Sequence, residues 1–238
     1  MSHPYHHAVA RARTWGGVPG DYEPIESWFD HTKAFTPDAR HRLLLHNSYG
    51  VFLAERRFGV TITNSDGRAI PVRIIGESHC KEDFNRAVPS LTECLSGGLS
   101  GALEGPQGAL RDAYLRAFDQ DDDVHAHCEH SAALFGGDPA TYEALHAFLN
   151  ESRDHLACPQ NLLATHHTFG VHLATQLFGQ TLGGVSVRRL AEAHVLRDMG
   201  QVPAVDDALK LIPLEPWMST RALPLERLNR SPQVPEAP

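Results

Sequence analysis

Trp15-Gly16-Gly17-Val18-Pro19-Gly20-Asp21-Tyr22-Glu23 returns 120 positions later as Phe135-Gly136-Gly137-Asp138-Pro139-Ala140-Thr141-Tyr142-Glu143. The same shift carries His46 onto His166, Gly50-Val51 onto Gly170-Val171, Leu53-Ala54 onto Leu173-Ala174 and Phe58-Gly59 onto Phe178-Gly179. By direct count about 16 of 60 aligned positions are identical, several times the chance level, so the chain is a tandem duplication. After five residues are dropped the register returns, with Val72-Arg73 on Val187-Arg188, Glu77 on Glu192, His79 on His194 and Asp83 on Asp198. The gap falls where Val60 to Val72 reads as strand, turn and strand, and a hairpin can lose turn residues without disturbing a core.

Working outward, we expect residues 1–95 to form a first His-rich helical module and 121–218 a second copy. Between them, 96–120 reads as a Gly-rich flexible linker with one short helix, and 219–238 as a Pro-rich loose tail. Within the module, Ser2 can cap a helix that Gly16-Gly17 stops, and a second helix runs from about Asp21 to Phe35. Thr36-Pro37-Asp38 reads as the start of a long third helix that continues to Gly59. A fourth helix is expected around Ile75 to Arg86 and a short fifth after Ser90. The fold class is therefore mainly α: two tandem helical-bundle modules, each with a small β-hairpin, packed as a pseudo-two-fold pair.

Composition narrows the function. The 238 residues are 42% apolar and 21% charged, ordinary for a globular protein. No run is long and apolar enough to span a membrane, and the start lacks the order of a signal peptide, so a soluble, cytoplasmic protein is expected. The four cysteines show no CxxC spacing and read as reduced thiols. Net charge is −8 with basic residues scattered, which argues against nucleic acid as a partner. The outlying number is 16 histidines, in a side chain that is both the commonest metal ligand and the usual acid/base group.

Duplication filters these histidines, because both copies retain a metal-competent residue in only a few columns. His3 pairs with Asp123, His7 with His127, His46 with His166, His79 with His194, and Asp83 with Asp198; Glu77 and Glu192 form a further carboxylate column. His3 and His7, Asp123 and His127, His79 and Asp83, and His194 and Asp198 are each four apart and share a helix face. With nitrogen and oxygen donors and no thiolate, the expected cofactor is a divalent metal, zinc first, with iron, manganese and nickel also compatible. The copies also differ: His6, Asp30, His41 and Glu55 become Ala126, Asn150, Asn161 and Thr175. The first copy is thus the better place for chemistry, with Glu55 or His41 as general base.

His3-Pro4-Tyr5-His6-His7-Ala8, Trp15-Gly16-Gly17, Trp28-Phe29-Asp30, Arg40-His41-Arg42, Thr61-Ile62-Thr63-Asn64-Ser65-Asp66-Gly67-Arg68 and Gly76-Glu77-Ser78-His79 with Glu82-Asp83 resemble an uncharacterised family of small phage and bacterial proteins. Its members look like one copy of this repeat and end in an element similar to Pro216-Trp217-Met218. The resemblance implies a self-contained module and names no substrate; a single-module relative would work as a two-fold dimer, and this chain would be its covalent version, itself a monomer or homodimer. The expected function is a metal-dependent hydrolase of a phosphoester or nucleotide-like substrate. The alternative is a non-catalytic accessory protein, of a phage type, that captures a small molecule or a host protein, with the metal structural or absent.

Overall fold

A computed structural model describes residues 3–84, 86–101, 103–120 and 123–218. The expected cap at Ser2 and the expected loose tail at 219–238 lie outside the described residues. The fold is mainly helical with two small antiparallel hairpins, as the sequence predicts.

Helix α1 (Pro4–Trp15) starts on a proline and ends at Gly16, whose φ of 84° only glycine adopts freely. His7 and Arg11, one turn apart, are buried on its inner face. Helix α2 (Glu23–Phe29) turns Ile25, Glu26, Trp28 and Phe29 inward, and the continuation expected to Phe35 is instead a separate 3-10 turn, His31–Ala34.

The long third helix is also broken. Asp38 caps a 3-10 turn at Ala39–Leu43, and the α-helix proper, α3, spans Ser48–Phe58. Asn47 enforces the break: its side chain accepts from the Gly50 amide at 2.9 Å and donates to the Leu43 carbonyl at 2.7 Å. The chain turns back on itself here so tightly that a Cβ on Gly50 would collide with the Leu45 carbonyl oxygen. Propensity favoured one helix; capping and the tight turn at the glycine favour two.

Strands β1 (Thr61–Thr63) and β2 (Ala69–Pro71) form the first hairpin. Helix α4 (Val72–Asp83) buries Ile75, Gly76, His79, Cys80 and Asp83, and α5 (Leu91–Leu95) carries a capping box between Ser90 and Glu93.

The stretch expected as a flexible tether is pinned at its start. The Leu99 amide donates to the Leu211 carbonyl at 3.2 Å, and a Cβ on Gly98 would press on Leu163 and Ile212. Helix α6 (Gly105–Gln120) is longer than the expected short helix and packs on the second copy. That copy repeats the first: α7 (Val124–Phe135), α8 (Glu143–Asn150), the short α9 (Ser152–His155), a 3-10 turn Pro159–Ala164, α10 (Thr168–Phe178), the hairpin β3 (Thr181–Leu182) and β4 (Val185–Ser186), α11 (Val187–Met199) and α12 (Val205–Lys210). A last 3-10 turn covers Pro216–Met218.

Equivalence extends to single hydrogen bonds. Tyr22 and Tyr142 donate to the carbonyls of Gly16 and Gly136 at 2.8 and 2.7 Å, and the amides of Ser48 and Thr168 donate to Pro89 and Pro203 at 2.8 and 2.9 Å. Across the junction the contacts are reciprocal: Arg40 donates to the Ile212 carbonyl at 2.7 Å, and its counterpart Gln160 donates to the Gly98 carbonyl at 3.1 Å. Helices α3 and α10 meet at the centre, and α5 and α12 each contact the other copy. This is an isologous interface within one chain. The buried apolar side chains of both copies form one connected cluster. The cysteines are free thiols, and no helix among the described residues is long and apolar enough to cross a membrane.

Candidate metal centres

Each copy folds its histidines onto one buried point. In the first, α1 supplies His7, α2 supplies Glu26 and its end Asp30, the break before α3 supplies His46, and α4 supplies His79 and Asp83. The tight turn at Gly50 is what allows this, because it directs the segment before α3 so that His46 points inward and is wholly buried.

Four donor atoms then converge. His46 Nε2 lies 3.0 Å from His79 Nε2, 3.3 Å from Asp83 Oδ2 and 3.4 Å from Asp30 Oδ1, while His79 Nε2 lies 3.8 Å from the same Asp30 oxygen. Donors held about 2.0–2.1 Å from a tetrahedral ion are separated by about 3.3–3.4 Å. The group Asp30, His46, His79 and Asp83 could therefore hold a metal ion, as could His7 with Glu26 and His79.

Carboxylates behind the histidines set their tautomers. Glu26 Oε2 lies 2.5 Å from His79 Nδ1, and Glu82 engages His7 Nδ1, so both Nε2 atoms are turned to the cluster in the manner of carboxylate–histidine–metal triads. His7 Nε2 is buried without a hydrogen-bond partner among the described residues and lies 3.9 Å from Asp83 Oδ1. Glu26 is held by Arg11 at 2.9 Å and Asp83 by Arg42 at 3.0 Å.

The electrostatics follow. Burial alone would depress His79, but hydrogen bonds and charge from Asp30 and Glu26 raise it to about 9. Burial would raise the Asp30 carboxyl, yet His46, His79 and Lys33 hold it far below the usual carboxylate range. Asp83 is held low against burial by His46 first and then Arg42. A divalent ion bound here would take the place of the proton that His79 otherwise holds.

The second copy gathers His127, His146, His166, His194 and Asp198, in two overlapping groups that could hold an ion. Asp198 Oδ2 lies 2.9 Å from His166 Nε2 and 3.5 Å from His194 Nε2, and its Oδ1 lies 3.2 Å from His127 Nε2. Burial and the charges of His127 and His166 push His194 well below its ordinary value. Burial and His127 bring His146 down to about 3.

Other expected residues lie elsewhere. His3 and Asp123 are exposed N-caps, accepting from the amides of Tyr5 at 3.2 Å and Ala126 at 2.7 Å. Capping turns each side chain toward the helix start and away from the face one turn on, which explains why the column is retained without a place in either cluster. Glu77 and Glu192 make surface pairs with Lys81 and Arg188. Glu55, partly exposed on α3, belongs to none of the clusters. His41 is buried, its ring 6.0 Å from that of His46, and burial is the main cause that lowers it to about 4.

Glu26 and its counterpart His146 escaped the alignment filter because the residues differ, although both can serve a metal site. The spacing Glu26 to Asp30, one turn apart, was the available signal.

What the fold and site define is a duplicated helical protein with a buried His/Asp cluster in each copy. The chain belongs to the family described as a domain of unknown function, DUF6915, whose model matches residues 2–98 and again 122–218. Neither a curated protein nor a solved structure matches it.

Proposed function

We propose that the first copy binds a divalent metal ion through donors drawn from His46, His79, Asp83, Asp30 and His7, with one coordination position left to water, and uses it to activate that water against a phosphoester or nucleotide-like substrate. The observation that supports this reading is the convergence of four donor atoms within 4.8 Å of one another, with four of their separations at 3.0 to 3.8 Å, near the edge lengths of a coordination polyhedron. Two imidazoles and two carboxylates suit zinc first, then iron, manganese or nickel. Such an ion would bring the pKa of a bound water to about 7 and stabilise charge on a phosphoryl oxygen.

One feature favours a phosphoester over other substrates. Arg11 and Arg42 place two cations beside the cluster, each keeping an Nη2 that is buried without a hydrogen-bond partner among the described residues, and cationic N–H donors suit phosphoryl oxygens. The second copy has Ser131 and Leu162 at these positions. Glu82, with a side chain 41% exposed, marks the side from which water reaches the centre. His41 is the base of choice on geometry: its Nδ1 is engaged by the Asp38 carbonyl at 2.6 Å, which leaves the Nε2 lone pair free. Glu55 has no part in this scheme.

One observation favours a binding role instead. An apolar cleft of about 340 Å³ lies between Phe84, Val88 and Pro89 of the first copy and Trp217 of the second, and it suits a small apolar ligand.

Elemental analysis of protein purified without chelators tests the reading, together with hydrolysis of p-nitrophenyl phosphate and its bis ester. We expect bound transition metal and turnover that His79→Ala abolishes. Metal at background would overturn the metal centre. Metal without turnover on either ester would overturn the hydrolase and leave the binding role.

A further inference from the structure

The two clusters differ at positions that touch one another. In the first copy Arg11 Nε donates to Glu26 Oε1 at 2.9 Å, and Glu26 Oε2 accepts from His79 Nδ1 at 2.5 Å. In the second copy, the counterparts are Ser131 and His146. Ser131 Oγ lies 2.9 Å from His146 Nε2, and His146 Nδ1 lies 3.0 Å from His194 Nδ1. The path of contacts is kept while its chemistry changes from a buried ion pair to a neutral relay. Two proton arrangements satisfy that relay, and the one that a metal site uses has His194 Nδ1–H donating to His146 Nδ1 and His146 Nε2–H donating to Ser131 Oγ.

This assignment leaves the lone pair of His194 on Nε2, facing Asp198. That atom, and both ring nitrogens of His127, are buried without a hydrogen-bond partner among the described residues. A folded protein rarely leaves such atoms unmet, and an ion beside Asp198 would meet His194 Nε2 and His127 Nε2. The charge balance has shifted as well. Asp30 has become Asn150 and the Asp83 partner Arg42 has become Leu162, so Asp198 is the single carboxylate of the second cluster, and it faces three imidazoles.

We propose that the second copy holds its own metal ion on His127, His166, His194 and Asp198, with His146 positioning His194, and that this site selects nitrogen-preferring ions such as zinc, nickel or copper(II) over manganese. Three neutral imidazoles and one carboxylate form a donor set of intermediate softness, whereas manganese favours oxygen. The site is closed and structural: four protein donors complete a tetrahedral shell, and α6 lies over α11 with the Tyr114 hydroxyl donating to the His166 carbonyl at 2.9 Å. The ion ties α7, α11 and the segment before α10 together. This inference does not depend on an ion in the first copy.

The test is metal stoichiometry of the full chain, stripped and then reloaded with zinc alone or with manganese alone. We expect zinc to reach one equivalent more than manganese. His194→Ala should remove one zinc and leave manganese loading unchanged, and His146→Ala should keep that zinc with affinity reduced about 10- to 100-fold. Equal zinc and manganese loading, readable on the wild-type protein without any variant, would overturn the selectivity. Zinc content unaffected by His194→Ala would overturn the site. If zinc binds in one equivalent that responds to His194→Ala and not to His79→Ala, the second-copy site stands and the first-copy reading falls.

Discussion

Arg42, in the first copy, donates from Nη1 to the carbonyl oxygen of Met218, in the closing turn of the second, at 2.9 Å. The same guanidinium donates from Nε to Asp83 at 3.0 Å. The second copy thus secures the cation that neutralises a candidate ligand of the first, and Arg42 is the largest fully buried side chain of the fold. Its counterpart Leu162 has no such duty, so the internal symmetry is broken where the charge lies.

Arg42→Leu should therefore destabilise the metal-free protein strongly, although leucine is what the second copy uses. Asp83 would be left as a buried charge without its cation, at a cost of about 3–5 kcal/mol. Urea unfolding of chelated protein measures this, and saturating zinc should recover part of the loss by supplying a cation next to Asp83.

Metal should stabilise the wild-type fold by mass action. At a free concentration 100 times Kd, an ion bound only by the folded state adds about 2.7 kcal/mol. Thermal unfolding with zinc and then with excess chelator should show a higher Tm with zinc, and the difference should shrink in His79→Ala.

Gly50→Ala and Gly170→Ala should each destabilise the fold, because the new methyl meets the carbonyl oxygen of Leu45 or Thr165. Overpacking of this kind costs about 1–3 kcal/mol. Gly20→Ala is the control, since nothing lies within 4 Å of its Cβ position. In Gly50→Ala the displaced backbone also carries His46, so loss of metal should accompany loss of stability.

The chelated protein should lose stability in mild acid. Burial brings His41 and His167 down to about 4, against about 6.5 in an unfolded chain. Their folded-state pKa values lie below the unfolded one, so the unfolded chain takes up protons that the folded one refuses. Their contribution is complete above about pH 6.5 and is lost as pH falls toward 4. His167 caps α10, accepting from the Gly170 amide at 3.1 Å and bonding the Leu163 carbonyl at 3.0 Å, as Asn47 does in the first copy. His167→Asn should keep the cap and flatten the decline in the urea midpoint between pH 7.5 and 5. An unchanged slope in that variant would show that His167 does not contribute.

Much of the architecture was legible because it is local or repeated. The glycines at 16 and 136 end helices whatever surrounds them, and the Ser90–Glu93 capping box needs four residues. His7, His46, His79 and Asp83 stood out with their partners because each copy retains them. The split of the third helix was not legible: Asn47 and Gly50 act on the carbonyls of Leu43 and Leu45, and their effect depends on a tight turn that helical periodicity does not register. His3 and Asp123 misled for the converse reason, since an N-cap and a metal ligand draw on the same side chains at the same spacing.

The sequence by itself determined the duplication, the helical modules with their hairpins, and most of the cluster, because identity between copies and period along a helix are properties of a linear string. Only the tertiary structure decided that Glu26 and His146 stand behind His79 and His194, that Arg11 and Arg42 neutralise the first cluster alone, and that the two copies interlock through Arg40 and Gln160. Those relationships join residues on different helices, where direction and burial set what a side chain meets, and neither is written in the spacing of the letters.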